Sequence, residues 1–229
     1  MPVAFDAAAS ASSAVASYSY THTPVGTPST AIVGVNVAAA GTTVTSVTYG
    51  GTAMVRVRES LEPALSRTAV FVLNSPASGA QTVAVTLGAA AESVTISCTV
   101  TGAGASQPTF GNQTSTAASA NPVSCFVSSE GANDLVLGFI HSERDNADAN
   151  ITPGAAQTQR QSLGGPTLDR PRCELTTQAG SVSGAEALWT LTTVGRGVAC
   201  VSINIGEGTG GFGASLVGVP GTVQNPWNG

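Results

Sequence analysis

The segment "VTSVTYGGTAMVRVR", residues 44–58, decides the fold class. On both sides of Gly50 and Gly51, apolar side chains alternate with polar ones. Alternation with a period of two is typical of a half-buried β-strand, and two consecutive glycines suit the central positions of a primed hairpin turn. The segment therefore predicts a β-hairpin whose second arm contains Val55 and Val57.

The same alternation recurs along the chain between clusters of Gly, Pro, Asn and Ser. It is clearest in "ESVTISCTV", "QTVAVTL" and "STAIVGVNV", whereas "DLVLGFI" is apolar on both faces and indicates a strand covered on both sides. Short strands separated by turn residues are the signature of an antiparallel sandwich or barrel. We predict an all-β protein, an antiparallel β-sandwich of about twelve strands, with helix signals only around residues 59–65 and after Asp6.

The composition limits the function classes. Only 9% of the 229 residues are charged, 13 acidic residues outnumber 8 basic ones, and every basic residue is Arg. Because no basic patch is visible and no run of about 18 apolar residues occurs, we expect neither nucleic acid nor a membrane as partner. The length suits one well-buried core, so we predict a single sandwich domain over residues 1–205.

The N-terminal stretch "MPVAFDAAASASSAVASYSY" has neither a basic residue nor a sustained apolar run. It therefore lacks the pattern of a secretory signal peptide. We expect a chain that is made and folded in a cytoplasm.

The four cysteines fall at Cys98, Cys125, Cys173 and Cys200. An even number is compatible with two disulfides. Each cysteine, however, lies on an apolar or small-residue face of a candidate strand, where free Cys packs as a small core residue. No CxxC motif or neighbouring His pair supports a zinc site.

From Gly206 onward the alternation stops. Residues 206–229, "GEGTGGFGASLVGVPGTVQNPWNG", are rich in Gly and carry two prolines. Such a composition predicts an extended C-terminal arm. We expect this arm to pack on its own domain or on a neighbour through its apolar residues, namely Phe212, Leu216, Val217 and Trp227.

The ionisable residues offer few candidates for chemistry. The two histidines are His22 and His141. His22 shares a strand face with Tyr18 and Tyr20, which favours a polar-aromatic ladder over a catalytic group. No nucleotide-binding, zinc-protease or hydrolase motif occurs. We expect no enzyme, no catalytic residue and no cofactor.

The best candidate for a site is the loop "HSERDNADAN" that begins at His141. Its carboxylates could hold Ca²⁺, but the EF-type spacing is missing and Arg144 competes for the same groups. We expect a solvated acidic loop without metal, with three acids as the remaining metal candidates: Glu143, Asp145 and Asp148. Arg56 and Arg58, followed by Glu59 and Glu62, predict surface ion pairs instead of an anion site.

Several segments together resemble a β-sandwich module of tailed-phage virion proteins, which also recurs in some bacterial surface proteins. They are "VAFDAAASAS", "YSYTHT", "IVGVNV", "VTSVTYGGTAM", "VFVLNSPASGAQTVAVTL", "DLVLGFIHS", "AAQTQR" and "LWTLTTVGRGVACVSINI". The similarity covers residues 3–205 and consists of structural signatures, not catalytic ones.

The resemblance implies a jelly-roll-like sandwich that serves as a decoration, cement or fibre element. It implies a place on the outer surface of a capsid, with the major capsid protein and copies of the same chain as partners, assembled as a homotrimer. A tail fibre or receptor-binding virion protein would use the same fold.

Two alternatives belong to other function classes. A carbohydrate-binding or adhesion module of a secreted protein predicts an exposed platform of Trp or Tyr, and the chain has 2 Trp and 3 Tyr. A glycan hydrolase or lyase needs convergent ionisable groups, of which the chain supplies few.

Overall fold

Small and β-branched side chains give this chain a backbone of strands. The computed structural model describes residues 1–39, 41–62, 66–105, 109–116, 121–128, 131–142, 151–164, 172–191 and 198–207. Within these ranges the chain forms seventeen antiparallel-paired strands and no helix, which confirms the predicted all-β, antiparallel β-sandwich class. More strands form than predicted because several, such as Ala4–Ser13, carry small side chains instead of a clear apolar alternation.

The first nine strands form two facing sheets, which we call the first half (residues 4–101). They are β1 (Ala4–Ser13), β2 (Ser17–His22), β3 (Thr30–Val37), β4 (Val44–Tyr49), β5 (Thr52–Ala53), β6 (Val55–Glu62), β7 (Ser66–Asn74), β8 (Gln81–Leu87) and β9 (Ser93–Thr101). The five-stranded inner sheet has the order β1-β9-β3-β7-β6. The four-stranded outer sheet has the order β2-β8-β4-β5.

The remaining strands form the second half (residues 109–205). They are β10 (Thr109–Thr116), β11 (Val123–Val127), β12 (Leu135–Ser142), β13 (Ile151–Pro153), β14 (Thr158–Gly164), β15 (Arg172–Ala179), β16 (Ala185–Leu191) and β17 (Val198–Ile205). Its inner sheet has the order β10-β17-β12-β15-β14, and its three-stranded outer sheet has the order β11-β16-β13.

The two halves have the same topology, strand for strand. Replacing β1–β4 by β10–β13 and β6–β9 by β14–β17 turns the sheet orders of the first half into those of the second. Only the two-residue β5 has no counterpart among the described residues. Even an irregularity is shared, because the register shifts between Arg56 and Arg58 in β6 and between the counterpart residues Gln159 and Gln161 in β14. The chain is therefore a structural duplication.

The two inner sheets pack face to face and enclose a central core to which both halves contribute. At its middle, Gly34 of β3 lies against the ring of Phe139, its own counterpart on β12. Each outer sheet closes a further core, so the molecule has four layers. The central core includes Ile32, Val70, Ile96, Leu137, Phe139, Leu175, Val201 and Ile203.

The predicted hairpin is confirmed at its turn and wrong in its second arm. Gly50 and Gly51 have φ of +57° and +80°, the backbone of a primed turn. Only Thr52–Ala53 then pairs with β4, while Val55 and Val57 belong to β6 in the inner sheet. The alternation continues across this crossing, so the pattern does not mark where the chain changes sheets.

Both predicted helix signals are wrong. The residues after Asp6 form β1, which pairs with β9, and residues 59–62 end β6, which pairs with β7. Pairing within a sheet overrides the helix preference of Ala-rich stretches. Residues 63–65 lie outside the described part of the chain.

The cysteines are free and buried, as their strand faces predicted. Cys98 and Cys173 belong to the central core, and Cys125 and Cys200 belong to the core of the second half. The single-domain boundary at residue 205 stays a prediction, and the shared central core agrees with it.

All strands run between two ends of the molecule. One end, which we call the Met1 end, carries residue 1, the turn at Gly50 and the end of β17. Glu207 follows β17 there, and its carboxylate lies 3.7 Å from the amino group of Met1. The opposite end carries the connection β1–β2, the start of β4 and the end of β12 at Ser142.

Candidate functional site

Of the acidic loop, residues 141–150, the structure describes residues 141 and 142. Glu143, Asp145 and Asp148 lie outside the described residues, so they stay metal candidates. His141, near the end of β12, is fully buried on the same strand face as Phe139. Burial lowers the pKa of His141 to about 3, so this imidazole is neutral at physiological pH. Among the described residues, no group of three or more His, Cys, Asp or Glu side chains could hold a metal ion.

A buried polar seam lies between β9 and β2 in the first half. The hydroxyl of Tyr18 lies 2.6 Å from Oγ1 of Thr95. Further along, Nδ1 of His22 lies 2.9 Å from Oγ of Ser97, and Nε2 of His22 lies 3.2 Å from Oγ1 of Thr99. This is the polar ladder that the spacing of Tyr18, Tyr20 and His22 predicts.

The seam ends on the carboxylate of Asp6 in β1. Thr99 donates to Oδ2 of Asp6 at 2.8 Å, and the backbone N–H of Gly26 donates to Oδ1 at 2.7 Å. Because the Thr99 proton is used in this way, Thr99 can only accept from Nε2 of His22. The hydroxyl of Ser97 lies within reach of two acceptors, the carbonyl of Ala9 at 3.3 Å and Nδ1 of His22 at 2.9 Å. Burial lowers the pKa of His22, and the Asp6 charge opposes this shift only in part.

The seam resembles a catalytic relay in composition but not in access. His22, Ser97 and Thr99 each have 0% exposure, so no substrate can approach the Ser97 hydroxyl. A nucleophile must reach its target within a near-attack distance of about 3 Å. The arrangement instead satisfies the polar face of a buried strand, where each unpaired polar group would cost about 1–3 kcal/mol.

A second polar cluster occurs at the same point of both inner sheets. In the first half, Glu59 on β6 pairs across the sheet with Ala69 on β7; in the second half, Ser162 pairs with Glu174. The first half thus carries its carboxylate on β6 and the second half on β15, the counterpart of β7. In both halves it belongs to the same cross-strand pair of the inner sheet. Arg67, which bonds Glu59, has Arg172 as its counterpart.

Of the predicted surface ion pairs, the one between Arg56 and Glu59 forms, and Arg67, which the sequence did not single out, binds the same carboxylate. Nη1 of Arg56 lies 3.5 Å from Oε1 of Glu59, beside a shallow depression lined by residues 56–59. Exposed pairs of this kind contribute about 0–1 kcal/mol. The side chain of Glu62 lies outside the described residues.

The second-half cluster is buried and different in charge. Burial raises the pKa of Glu174 to about 7, against the opposing effects of a hydrogen bond from Gln159 and of the Arg172 charge. Gln159 donates to Oε2 of Glu174 at 2.8 Å, while Oε1 has no partner among the described residues. Near neutral pH this carboxyl group is partly protonated, which sequence patterns alone cannot reveal.

The predicted arm residues Phe212, Leu216, Val217 and Trp227 lie outside the described residues. The described chain reaches Glu207 at the Met1 end, where five large apolar side chains are exposed: Met1 at 86%, Val25 at 86%, Val55 at 68%, Phe126 at 42% and Val182 at 85%. Within the described residues there is no helix with the length and hydropathy that crossing a membrane requires.

Comparisons with protein-family models, with curated proteins and with solved structures find no match for this chain. The structural relationship at hand is therefore the one between the two halves of the chain. Sequence reasoning missed it because counterpart strands differ at nearly every position. A trace remains in the turns, "SGAQ" at Ser78 and "SGAE" at Ser183, although it is displaced by one residue from the strand counterparts, in which Thr82 corresponds to Glu186. In these turns Gly79 and Gly184 have φ of +75° and +86°.

Proposed function

We propose that this chain is a non-enzymatic structural protein of a bacteriophage particle, a capsid decoration or cement protein on the outer surface of the shell. Its partners are the major capsid protein and further copies of the chain, assembled as a homotrimer. The observation that carries the proposal is the four-layer architecture with three buried cores, in which the imidazole of the polar seam, His22, is fully buried.

The outer face of the first half supports a role in packing against other proteins. It presents short, uncharged side chains on three neighbouring strands: Ser17, Ser19 and Thr21 on β2, Thr82, Ala84 and Thr86 on β8, and Ser46 and Thr48 on β4. Short side chains lose little rotamer entropy on contact, and without charges there is no large desolvation penalty. Such a wall suits a tightly packed surface layer.

The strand order supports the jelly-roll part of the proposal. In each half, the first four strands alternate between the inner and outer sheets, the last three do so again, and the first strand lies beside the last one. This connectivity is the one expected of a double Greek key.

A tail-fibre or receptor-binding role on the same particle is the second candidate, because the exposed apolar side chains at the Met1 end mark a surface suited to contact with another protein. A glycan-binding module receives less support. Among the aromatic side chains whose burial is described, one is exposed, Phe126. Tyr49, Phe71, Phe139 and Trp189 are buried, and Phe5, Tyr18 and Tyr20 are partly buried. A glycan platform needs open aromatic rings.

Deletion of residues 206–229 tests the attachment part of the proposal. The shortened chain is expected to stay folded and monomeric, since the described cores end at Ile205, but to bind particles stripped of this protein more weakly than the full chain. Sedimentation of particles with each protein measures the bound fraction. Equal binding of both proteins would contradict attachment through the arm.

A further inference from the structure

His141 and Cys173 are direct cross-strand partners in the inner sheet of the second half. His141 lies on β12 and Cys173 on β15, and the register of the two strands pairs them. Both side chains have 0% exposure. Cys173 belongs to the central core, and His141 shares a strand face with Phe139, which lies at the middle of that core. Since the Cβ atoms of such a pair are about 4.5–5.5 Å apart, the imidazole and the thiol lie side by side in the interior.

The imidazole of His141 has no hydrogen bond to hold it. Neither Nδ1 nor Nε2 of His141 has a hydrogen-bond partner within the described part of the chain. The other histidine, His22, has Nδ1 2.9 Å from Oγ of Ser97 and Nε2 3.2 Å from Oγ1 of Thr99. Both histidines are fully buried, and a buried polar group without a partner destabilises the folded state. The ring nitrogens of His141 are therefore open to a ligand, whereas those of His22 are not.

The first half fills the same two positions with a pair that satisfies itself. The counterparts of His141 and Cys173 are Asn36 and Thr68, which are also cross-strand partners. Thr68 donates to Oδ1 of Asn36 at 2.8 Å, and Nδ2 of Asn36 donates to the carbonyl of Val94 at 3.3 Å. The fold therefore accepts a hydrogen-bonded pair at this place and requires neither a histidine nor a cysteine there.

The chemistry of the pair points to a soft metal ion of low charge. Thiolate sulfur selects Cu(I) and Zn²⁺, and imidazole nitrogen suits both metals. Structural Zn²⁺ takes four ligands, and among the described residues no third His, Cys, Asp or Glu side chain completes a metal-binding group. Cu(I) is stable with two ligands. One thiolate also neutralises Cu(I), whereas Zn²⁺ on the same thiolate would bury a net positive charge.

We propose that His141 and Cys173 form a two-coordinate site for a Cu(I) ion in the central core. An imidazole nitrogen and the Cys173 sulfur bind the ion, and the thiol proton passes to the solvent as the copper–sulfur bond forms. The copper stays in the Cu(I) state, so no electron is transferred. The ion links β12 to β15 and stabilises the folded chain, because the unfolded chain does not hold the two ligands together.

Cu(I) itself and the full-length protein provide the test. Because both ligands are buried, the protein is refolded anaerobically from urea with the Cu(I)–bicinchoninate complex, and gel filtration removes the free complex. We expect one Cu(I) per chain by mass spectrometry of the metal. X-ray absorption at the copper edge is expected to show one sulfur and one nitrogen neighbour. The copper-loaded protein is also expected to melt at a higher temperature than the metal-free protein.

Two variants separate this site from the other thiols. His141→Asn with Cys173→Thr introduces the hydrogen-bonded pair of the first half, so it is expected to fold, to retain no copper and to melt at one temperature with or without Cu(I). Cys98→Ser is the matched control, because Cys98 is buried in the same core but pairs with Ile32 and Ala8. This control is expected to keep its copper. Near-UV circular dichroism checks the fold, and Cys173→Ser replaces the double variant if that variant unfolds.

Four results would overturn the proposal. The first is that the unmodified protein retains no copper. The second is equal retention of copper by the unmodified protein and the double variant. The third is a copper ion with sulfur neighbours alone, because the ligands are then cysteines without His141. The fourth is tighter retention of Zn²⁺ than of Cu(I) under the same conditions.

Discussion

At the scale of single residues, the duplication shows how one backbone position accepts different side chains when its partner changes. In the first half, Val33 and Val85 contribute to the core between the sheets; in the second half, Gly138 and Trp189 occupy the counterpart positions. A Cβ at Gly138 would lie 2.7 Å from the Trp189 ring. The total volume is conserved while each residue changes, which is the exchange that tightly packed interiors tolerate.

The buried Glu174 makes stability depend on pH in a defined window. Its pKa is about 7 in the folded chain, against the ordinary Glu pKa of 4.5. Because the folded pKa is raised, the folded state holds the proton longer, and the favourable contribution is complete below about pH 4.5 and is lost as pH rises through 7. Glu174→Gln is expected to raise the free energy of unfolding at pH 8 by about 1–3 kcal/mol and to change it little at pH 5.

Urea unfolding of both proteins at pH 5 and pH 8 measures this difference. Glu59→Gln is the matched control, because Glu59 occupies the corresponding place in the first half but is a partly exposed, ion-paired group. An equal effect of Glu174→Gln at both pH values would contradict a raised pKa at this residue.

At the scale of elements, the sequence predicted strands wherever one face is buried and one is polar. The strands β4, β9 and β16 follow this rule, and their apolar residues are buried as expected. The strand β12 was instead predicted from apolar residues on both faces, and both of its faces are buried. The crossing from β5 to β6 and the strand β1 were not predictable in this way, because alternation does not state which sheet a strand joins. The side-chain clusters at Glu59 and Glu174 form across paired strands, so they could not be predicted without the sheet assignment either.

Gln157 shows how the second half manages without a counterpart of β5 among the described residues. Its Oε1 accepts from the backbone N–H of Leu188 at 2.8 Å and of Gly154 at 3.1 Å, and its Nε2 donates to Thr176 at 2.7 Å. The side-chain amide of Gln157 therefore supplies β16 with the hydrogen-bond acceptor that the backbone of a neighbouring strand supplies elsewhere.

Gln157→Leu is expected to destabilise the protein by about 1–3 kcal/mol, because it removes the acceptor of the Leu188 N–H, while the N–H of Gly154 keeps its bond to the carbonyl of Leu188 at 2.8 Å. Amide hydrogen exchange at Leu188 should accelerate in the same variant. Gln159→Leu, on the next strand, loses a single bond to Glu174 and is expected to cost less. Unchanged exchange at Leu188 would contradict the role of Gln157.

At the scale of the whole molecule, the two halves are joined through a core that neither contains alone. Gly34 lies against the ring of its own counterpart, Phe139, so the two residues form a small-to-large pair at the centre of the duplication. Two identical halves could not form this pair, since they would place either two rings or two glycines there. The halves have therefore become complementary, which also explains why their sequences no longer reveal the repeat.

This shared core predicts a single cooperative unfolding transition for the full chain. Gly34→Ala places a Cβ in steric overlap with the edge of the Phe139 ring. The substitution is expected to lower the free energy of unfolding by about 1–3 kcal/mol. The melting temperature of the whole transition then falls by about 2–4 °C per kcal/mol. Differential scanning calorimetry measures both, and Gly41→Ala, where the added Cβ meets no atom within 4 Å, serves as the control. Two separate transitions, only one of them shifted by Gly34→Ala, would contradict a shared core.

If this chain is a component of a phage particle, each particle carries a defined number of copies of it. Quantitative mass spectrometry of purified particles from the source gives the copies of this chain per copy of the major shell protein. A decoration or cement protein is expected at a ratio near one or at a simple fraction of it, because it follows the symmetry of the shell. A ratio of a few per cent would contradict the capsid position and indicate the tail, and absence from the particles would contradict the proposed function altogether.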